Sequence, residues 1–233
     1  GMIAEKARIE KGMMVKLPPG IDDTTAAALP NAVMGSALAL RFRAGLSKGE
    51  TVLINGATGV TGKISVQIAK YYGAKKVIAT GRNDQSLQEL ISLGADEVVS
   101  LRQDDESLVS QIKNIHRQSP IDIVIDYLWG HSAELILSAL KGSGSFSHRT
   151  RFVTVGGITG DNITLSSSVL RSTDIHISGS GLGTWTKEEV KVLIAEILPE
   201  MFQLAADGKL KIETVRVALK DIEKVWDMNI EGG

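Results

Sequence analysis

The chain contains no cysteine, so it can form no disulfide and no thiolate metal site. It has no excess of either charge: 26 basic residues face 27 acidic ones and the two kinds alternate along the sequence. That interleaving leaves no electropositive face for a nucleic-acid backbone, and nucleic acid is not an expected partner. Apolar runs are broken by Gly, Lys or Gln well short of the ~20 residues that a bilayer span requires, so no membrane segment is expected. The opening residues Gly1-Met2-Ile3-Ala4-Glu5-Lys6 lack the basic and apolar sections of a secretory signal. The first glycine resembles a cleavage scar, and a cytoplasmic location is the default expectation. His116, His131, His148 and His176 are scattered and never spaced as H-x-x-x-H, so no metal site is expected. No internal repeat is present, and the one low-complexity stretch, Gly142-Ser143-Gly144-Ser145, reads as a flexible loop within a long connection over 141–150.

What the chain does have, from residue 51 onward, is an alternation of short β-branched runs with amphipathic helical patterns. Strands are expected over 51–54, 76–80, 97–101, 121–126, 152–156 and 175–179. Helices are expected from about 60 to 72 and over 86–93, 107–116 and 131–140. Parallel strands need crossover helices, and those helices bury both faces of the sheet. The expected fold class is therefore α/β, a doubly wound sheet of six parallel strands, a Rossmann fold, with ligand at the carboxyl ends of the strands. Upstream, Leu17-Pro18-Pro19-Gly20 ends an entering arm, and small apolar helices over 26–29 and 33–46 are expected to be interrupted at Pro30. Downstream, Thr186 and Glu189 form a capping box for a long helix reaching Asp207-Gly208. A short strand over 214–219 and a last helix from Asp221 are expected to follow.

The motif that carries chemistry is Asn55-Gly56-Ala57-Thr58-Gly59-Val60-Thr61-Gly62, set between the first strand and the first crossover helix. Phosphate binding needs glycine where backbone approaches the pyrophosphate and where helix meets strand, and a helix amino end offers free N–H groups with a partial positive charge. Gly59 and Gly62 fill those two places. The full G-x-G-x-x-G fingerprint is incomplete, because Ala57 stands at its first glycine, and a plain tight turn would carry similar letters. About 20 residues further on, an NAD-binding unit places a carboxylate on the ribose. Here that strand end reads Val77-Ile78-Ala79-Thr80-Gly81-Arg82-Asn83, with no acid. Gly81 is expected to leave room for a 2′-phosphate and Arg82 to grip it with its planar fork, which favours NADPH over NADH.

On these residues the chain resembles the medium-chain dehydrogenase/reductase superfamily, in its quinone-oxidoreductase-like, zinc-independent branch, to which zeta-crystallin belongs. The resemblance rests on Ala26-Ala27-Ala28-Leu29-Pro30-Asn31, on Ala44-Gly45-Leu46-Ser47-Lys48-Gly49-Glu50, on the glycine turn followed by Val66-Gln67-Ile68-Ala69-Lys70, and on Leu93-Gly94-Ala95-Asp96. Asp122-Ile123-Val124-Ile125-Asp126 and Phe152-Val153-Thr154-Val155-Gly156 extend it. It implies a two-domain subunit. Residues 1–21 would be a remnant of a substrate (GroES-like) domain that keeps its last strand within 2–17, residues 22–185 the NADP-binding domain, and 186–233 a helix-strand-helix returning toward the missing domain. The chain then looks trimmed at both ends, and the fragment alone is expected to be inactive.

By position in the family motifs, the resemblance implies cofactor contacts from Thr58, Gly59, Val60, Thr61, Gly62, Gly81, Arg82, Asn83, Tyr127, Val155 and Gly156. It transfers no catalytic residue. Members often carry Thr where Gly35 or Ser36 stands here, and the substrate lies outside the chain. It also implies hydride transfer from NADPH to a quinone or conjugated carbonyl, and a homodimer through the edge strand near Ile175–Gly179, since an unprotected edge invites aggregation. The alternatives are an NADP(H)-binding or sensing module without turnover, and a short-chain-type reductase. Tyr71-x-x-x-Lys75 and Tyr72-x-x-x-Lys76 imitate the short-chain pair but fall at the far end of the sheet. Gly179-Ser180-Gly181-Leu182-Gly183 reads as a structural loop, since one doubly wound sheet offers one dinucleotide crevice.

Overall fold

The computed structural model describes residues 5–226 apart from 11, 143, 145 and 146. Helix α1 spans Asp23–Leu38 and starts because the Asp22 carboxylate accepts the N–H groups of Thr24 and Thr25 at 3.0 and 3.1 Å. Those hydrogen bonds hold the carboxyl down at about 2. The expected break at Pro30 does not occur: α1 runs through it and continues as a π turn, Ala39–Arg43. Pro30 sits half-buried, and the buried side of the helix (Ala26, Leu29, Ala32, Val33, Ser36, Ala37) packs closely enough to offset a penalty of roughly 3 kcal/mol for interior proline.

The alternating region follows in chain order: β1 Thr51–Asn55, α2 Val60–Tyr71, β2 Lys76–Gly81, α3 Asp84–Ser92, β3 Glu97–Ser100, α4 Asp105–Gln118, β4 Ile123–Asp126, α5 Gly130–Ala139, β5 Thr150–Thr154, α6 Ser167–Ser172 and β6 Ile175–Gly179. All five pairings are parallel, in the order β3-β2-β1-β4-β5-β6, so the order of strand addition reverses between β1 and β4. This is the expected six-stranded Rossmann arrangement. Its strands are buried on both faces, which is why they read as unbroken apolar runs. Val52, Ile54, Val77, Ala79, Ile123, Ile125 and Val153 join one core with α1 and α2, while Leu53, Ile78, Val124 and Phe152 join the other with α4 and α5. Alternate residues of one strand thus hold two layers of helix.

The sequence did not announce α6, a short helix capped by the Ser166 hydroxyl. In the loop before β5, Ser143, Ser145 and Phe146 lie outside the described residues, and so the expectation for that loop lies partly outside them.

After β6 the expected capping box is present: Glu189 N–H donates to the Thr186 hydroxyl at 3.1 Å and Thr186 N–H to the Glu189 carboxylate at 2.9 Å. The helix it starts comes in three parts, α7 Lys187–Val192, a π turn Leu193–Ile197, and α8 Leu198–Ala206 with Pro199 in its first turn. The wider turn just ahead of Pro199 eases the clash that proline makes with the preceding turn. The strand expected over 214–219 is not formed. Residues 211–218 are irregular, Val215 and Val217 are exposed, and no neighbouring strand among the described residues offers a ladder. A 3-10 turn, Leu219–Asp221, leads into α9, Ile222–Trp226, and the remainder of the expected last helix lies outside the described residues. Residues 5–10 and 12–17, where a last strand of another domain was expected, form no strand, while residues 2–4 and 11 lie outside the description.

Candidate functional site

The carboxyl ends of β1, β2 and β4 are joined by a buried polar network. Asn55 at the end of β1 pairs in register with Asp126 at the end of β4. Its amide donates to the Asp126 carboxylate at 2.8 Å and to the Ser132 hydroxyl at 3.0 Å, and its carbonyl accepts the Thr80 hydroxyl of β2 at 2.7 Å. Thr80 in turn accepts Gly56 N–H at 3.3 Å, and its carbonyl accepts Ala57 N–H at 2.8 Å. The first residues of the glycine turn are thereby fixed to β2. Asp126 also accepts the N–H groups of Leu128 and Trp129, each at 3.1 Å. Burial raises its pKa above the usual carboxylate value, and these donors oppose that rise. They hold Trp129 at φ 59°, ψ −152°, a conformation ordinarily left to glycine.

Above this network the turn opens into α2. Gly56 has φ +82°, and Gly62 is pressed so closely on the turn that a Cβ there would meet the Gly56 carbonyl at 2.5 Å and Ala57 Cα at 2.6 Å. Gly59, by contrast, faces open space, with nothing within 4 Å of a Cβ. Gly59 is also the N-cap of α2 and supplies no side-chain cap, so the first N–H groups of this 12-residue helix are left for another partner. No acidic residue stands in the first turn. Together these features make a cradle for an anion, the backbone arrangement that binds phosphate.

The cradle opens on a cleft of about 740 Å³ between α2 and α3, lined by Thr58, Gly59, Val60, Lys63, Asn83 and Ser86 among others. Its far wall is the segment after α8. Gln67 of α2 donates to the Lys211 carbonyl at 2.9 Å and accepts Lys211 N–H at 2.7 Å, as a strand partner would. Lys63 bridges to Glu89 of α3 at 3.3 Å and to Glu213 at 3.1 Å. Burial works against its charge, but the two carboxylates prevail and lift its pKa above the ordinary lysine value.

The residues expected at the site separate into groups. Thr58, Gly59, Val60 and Asn83 line the cleft, and Asn83 also caps α3 by accepting Ser86 N–H at 3.0 Å. Gly62 and Gly81 serve packing. The room that a side chain at Gly81 would occupy is filled by the Thr58 methyl, 2.4 Å from a Cβ, and by Leu87, so glycine is needed there for packing. Arg82 is exposed, with no hydrogen bond or ion pair among the described residues. Thr61 and Val155 converge on Gly35, at 3.1 and 3.9 Å from a Cβ built there. Gly156 lies so close to the Tyr127 carbonyl, 2.7 Å from a Cβ, that glycine is needed where β4 and β5 exit. Tyr127 turns its hydroxyl inward, within 3.2 Å of the Ser36 hydroxyl, and burial pushes its pKa up to about 12. Ser36 in turn donates to the Thr61 carbonyl at 3.0 Å, so its hydroxyl too is engaged inside the protein.

Sequence reasoning missed Lys63, Glu213 and the Asn55–Thr80–Asp126–Ser132 network. One signal was available: a lysine in the first turn of a helix stands against the macrodipole, a placement that costs ~0.3–1 kcal/mol and calls for a reason. Nothing in the sequence pairs residue 63 with residue 213.

A family profile described as "Zinc-binding dehydrogenase" matches residues 60–198. The chain is 28% identical over 186 residues to the mitochondrial enoyl-[acyl-carrier-protein] reductase of Arabidopsis thaliana, covering 78% of this chain and 47% of that protein. It is 29% identical over 197 residues to the quinone oxidoreductase of Homo sapiens, covering 84% of this chain and 56% of that one. The chain thus spans about half the length of these curated relatives. Among solved structures, Escherichia coli quinone oxidoreductase complexed with NADPH superposes with a TM-score of 0.71 at 26% identity, over 89% of this chain and 62% of that one. Zinc does not fit here: among the described residues no group of three or more His, Cys, Asp or Glu stands together to hold a metal ion.

Proposed function

Because the chain belongs to the zinc-binding dehydrogenase family, in the quinone-oxidoreductase-like branch of the medium-chain dehydrogenase/reductase superfamily, we propose that it is the cofactor-binding portion of an NADPH-dependent oxidoreductase. The observation that carries this reading is the uncapped, glycine-lined amino end of α2, set at the carboxyl edge of a doubly wound sheet and facing a cleft of about 740 Å³. The pyrophosphate lies on the N–H groups from Gly59 to Gly62. Arg82 reaches in from the rim to the ribose phosphate, and Asn83 lines the ribose end. Thr61, Val155 and Gly156 flank the nicotinamide end beside Gly35, with Tyr127 behind them.

The cofactor supplies a hydride for a quinone or a conjugated carbonyl, small molecules whose site lies largely in a domain outside this chain. Residues 1–21 and 186–233 connect to that domain, and 22–185 form the dinucleotide-binding unit. These residues bind, orient and exclude water, and we assign none of them a proton-transfer role. Membership of this family replaces the short-chain alternative. A binding or sensing module without turnover is the second reading, since the same cradle would serve it.

Two copies pair through β6, whose outer edge has no neighbouring strand among the described residues and whose Ile177 is 37% exposed. No described helix is long and apolar enough to cross a membrane, and we place the protein in the cytoplasm, where NADPH is held reduced. Isothermal titration of the chain with NADPH and NADH tests the cofactor reading: NADPH binds more tightly if it is right, and an empty cleft with both cofactors rejects it. Hydride-transfer assays on this chain, and on a form carrying the substrate domain, separate enzyme from sensor.

A further inference from the structure

The cleft holds a cation that the glycine-turn pattern does not include. Lys63 stands in the first turn of α2, one residue beyond Gly62, with its side chain only 17% exposed. Its ammonium meets two carboxylates, Glu89 and Glu213, which are themselves 44% and 84% exposed. Exposed carboxylates at 3.3 and 3.1 Å are partners that water can replace at little cost. Thr58 and Leu87 fill the space that a side chain at Gly81 would take, and the open space beside the end of β2 is the groove between α2 and α3. Lys63 lines that groove together with Asn83 and Ser86, whereas Arg82 is exposed to solvent.

We propose that Lys63 is a specificity-determining residue which binds the ribose 2′-phosphate of NADPH, with Glu89 and Glu213 holding its ammonium in place until the phosphate displaces them. This rests on the dinucleotide reading above and adds to Arg82 a second cation, one already bridged to two carboxylates. The exchange is electrostatically sound. A phosphate monoester carries about −1.5 to −2 charges and three strong acceptor oxygens, a charge that matches the two exposed carboxylates together, so it can take the place of both on the one ammonium. Glu213 sits on the irregular segment after α8 and can swing outward, while Gln67 keeps Lys211 and the cleft wall in place. The cofactor thereby exchanges the bridge from α2 to the carboxy-terminal segment for one from α2 to itself.

The test is titration of the full chain with NADPH, NADH and 2′,5′-ADP, for wild type and for Lys63→Gln, Lys63→Arg and Glu213→Gln, with thermal unfolding of each variant recorded alongside. Lys63→Gln is expected to lose roughly ten- to hundred-fold in affinity for NADPH and 2′,5′-ADP, the worth of a charge-assisted hydrogen bond, and to leave NADH within about twofold. Lys63→Arg retains the preference. Glu213→Gln, which removes a competitor, binds NADPH several-fold more tightly at unchanged NADH affinity.

A Lys63→Gln protein that folds and keeps the wild-type ratio of NADPH to NADH affinity overturns the assignment and leaves the dinucleotide reading standing. So does a Glu213→Gln protein that weakens both cofactors equally, because the bridge is then only a staple. If Lys63→Gln does not fold, Lys63→Arg and Glu213→Gln decide by the same ratios. Wild type that binds neither dinucleotide, or both equally, overturns the NADPH reading and this assignment with it.

Discussion

Gly59 and Gly62 lie three residues apart in one turn, yet their surroundings assign them opposite work, and alanine at each should separate the two roles. At Gly62 a methyl would stand 2.5 Å from the Gly56 carbonyl oxygen and 2.6–2.7 Å from Ala57 backbone atoms. No flexible side chain is there to give way, so the amino end of α2 must lift off the turn by roughly half an ångström or more, an overpacking cost of ~1–3 kcal/mol. Alanine's better helix propensity returns at most ~1 kcal/mol, leaving a net loss of about 1–2 kcal/mol. For a domain of this size that lowers Tm by roughly 2–8 °C. Lifting the helix also moves its N–H groups, so NADPH affinity falls together with stability.

At Gly59 the backbone is extended, φ −72° and ψ 164°, and the position faces open space, so alanine is tolerated with at most ~1 kcal/mol lost from a poorer N-cap. Its methyl, however, stands where the pyrophosphate has to approach, and affinity drops by roughly tenfold or more, ~1.4 kcal/mol. Differential scanning fluorimetry paired with titration reads both quantities. Gly62→Ala with unchanged Tm, or Gly59→Ala with unchanged affinity, would refute the account of the turn.

Arg82→Ala should reduce the preference for NADPH over NADH with no change in Tm, because the side chain has no intramolecular partner among the described residues, and an unchanged ratio removes Arg82 from the site. Asp126→Ala leaves the Asn55 amide and the N–H groups of Leu128 and Trp129 without their buried acceptor, at a cost of about 3 kcal/mol or more. Chemical denaturation should show this as a lowered midpoint, and a midpoint equal to wild type contradicts the network. His116 accepts Ile121 N–H at 3.1 Å through Nδ1, and burial, with the charge of His148 added, lowers its pKa below the ordinary 6.5. The unfolded chain therefore binds the proton first, so stability falls as pH drops below about 6.5. His116→Asn should flatten that part of the stability profile, and an identical slope in the two proteins would sink the assignment. For the proposed dimer, Ile177→Lys at the β6 edge should shift sedimentation toward monomer, and an unaltered profile would place the interface elsewhere.

How much was legible in the sequence follows from how far each signal reaches along the chain. The six strands, their parallel order and the glycine turn were local: runs such as Val52-Leu53-Ile54 are apolar because both faces are covered, and the turn announces itself through Gly59 and Gly62 within a few residues. Even the Thr186–Glu189 capping box could be read from a spacing of three. Pro30, the unformed strand at 214–219 and the packing around Gly81 could not be read in this way. A helix survives proline only if its packing outweighs the loss, a strand exists only if a neighbour accepts its hydrogen bonds, and the space beside a glycine belongs to whichever side chain arrives there first. At Gly81 that side chain was Thr58. Lys63 meeting Glu213 and Asn55 meeting Asp126 are likewise encounters across 150 and 71 residues, brought about only when the crossovers stack the strands side by side. The sequence alone determined a doubly wound sheet with a glycine turn at the carboxyl end of its first strand. Which charges face the cleft beside that turn was decided by tertiary packing, because electrostatic partnership depends on distance in space and not on distance along the chain.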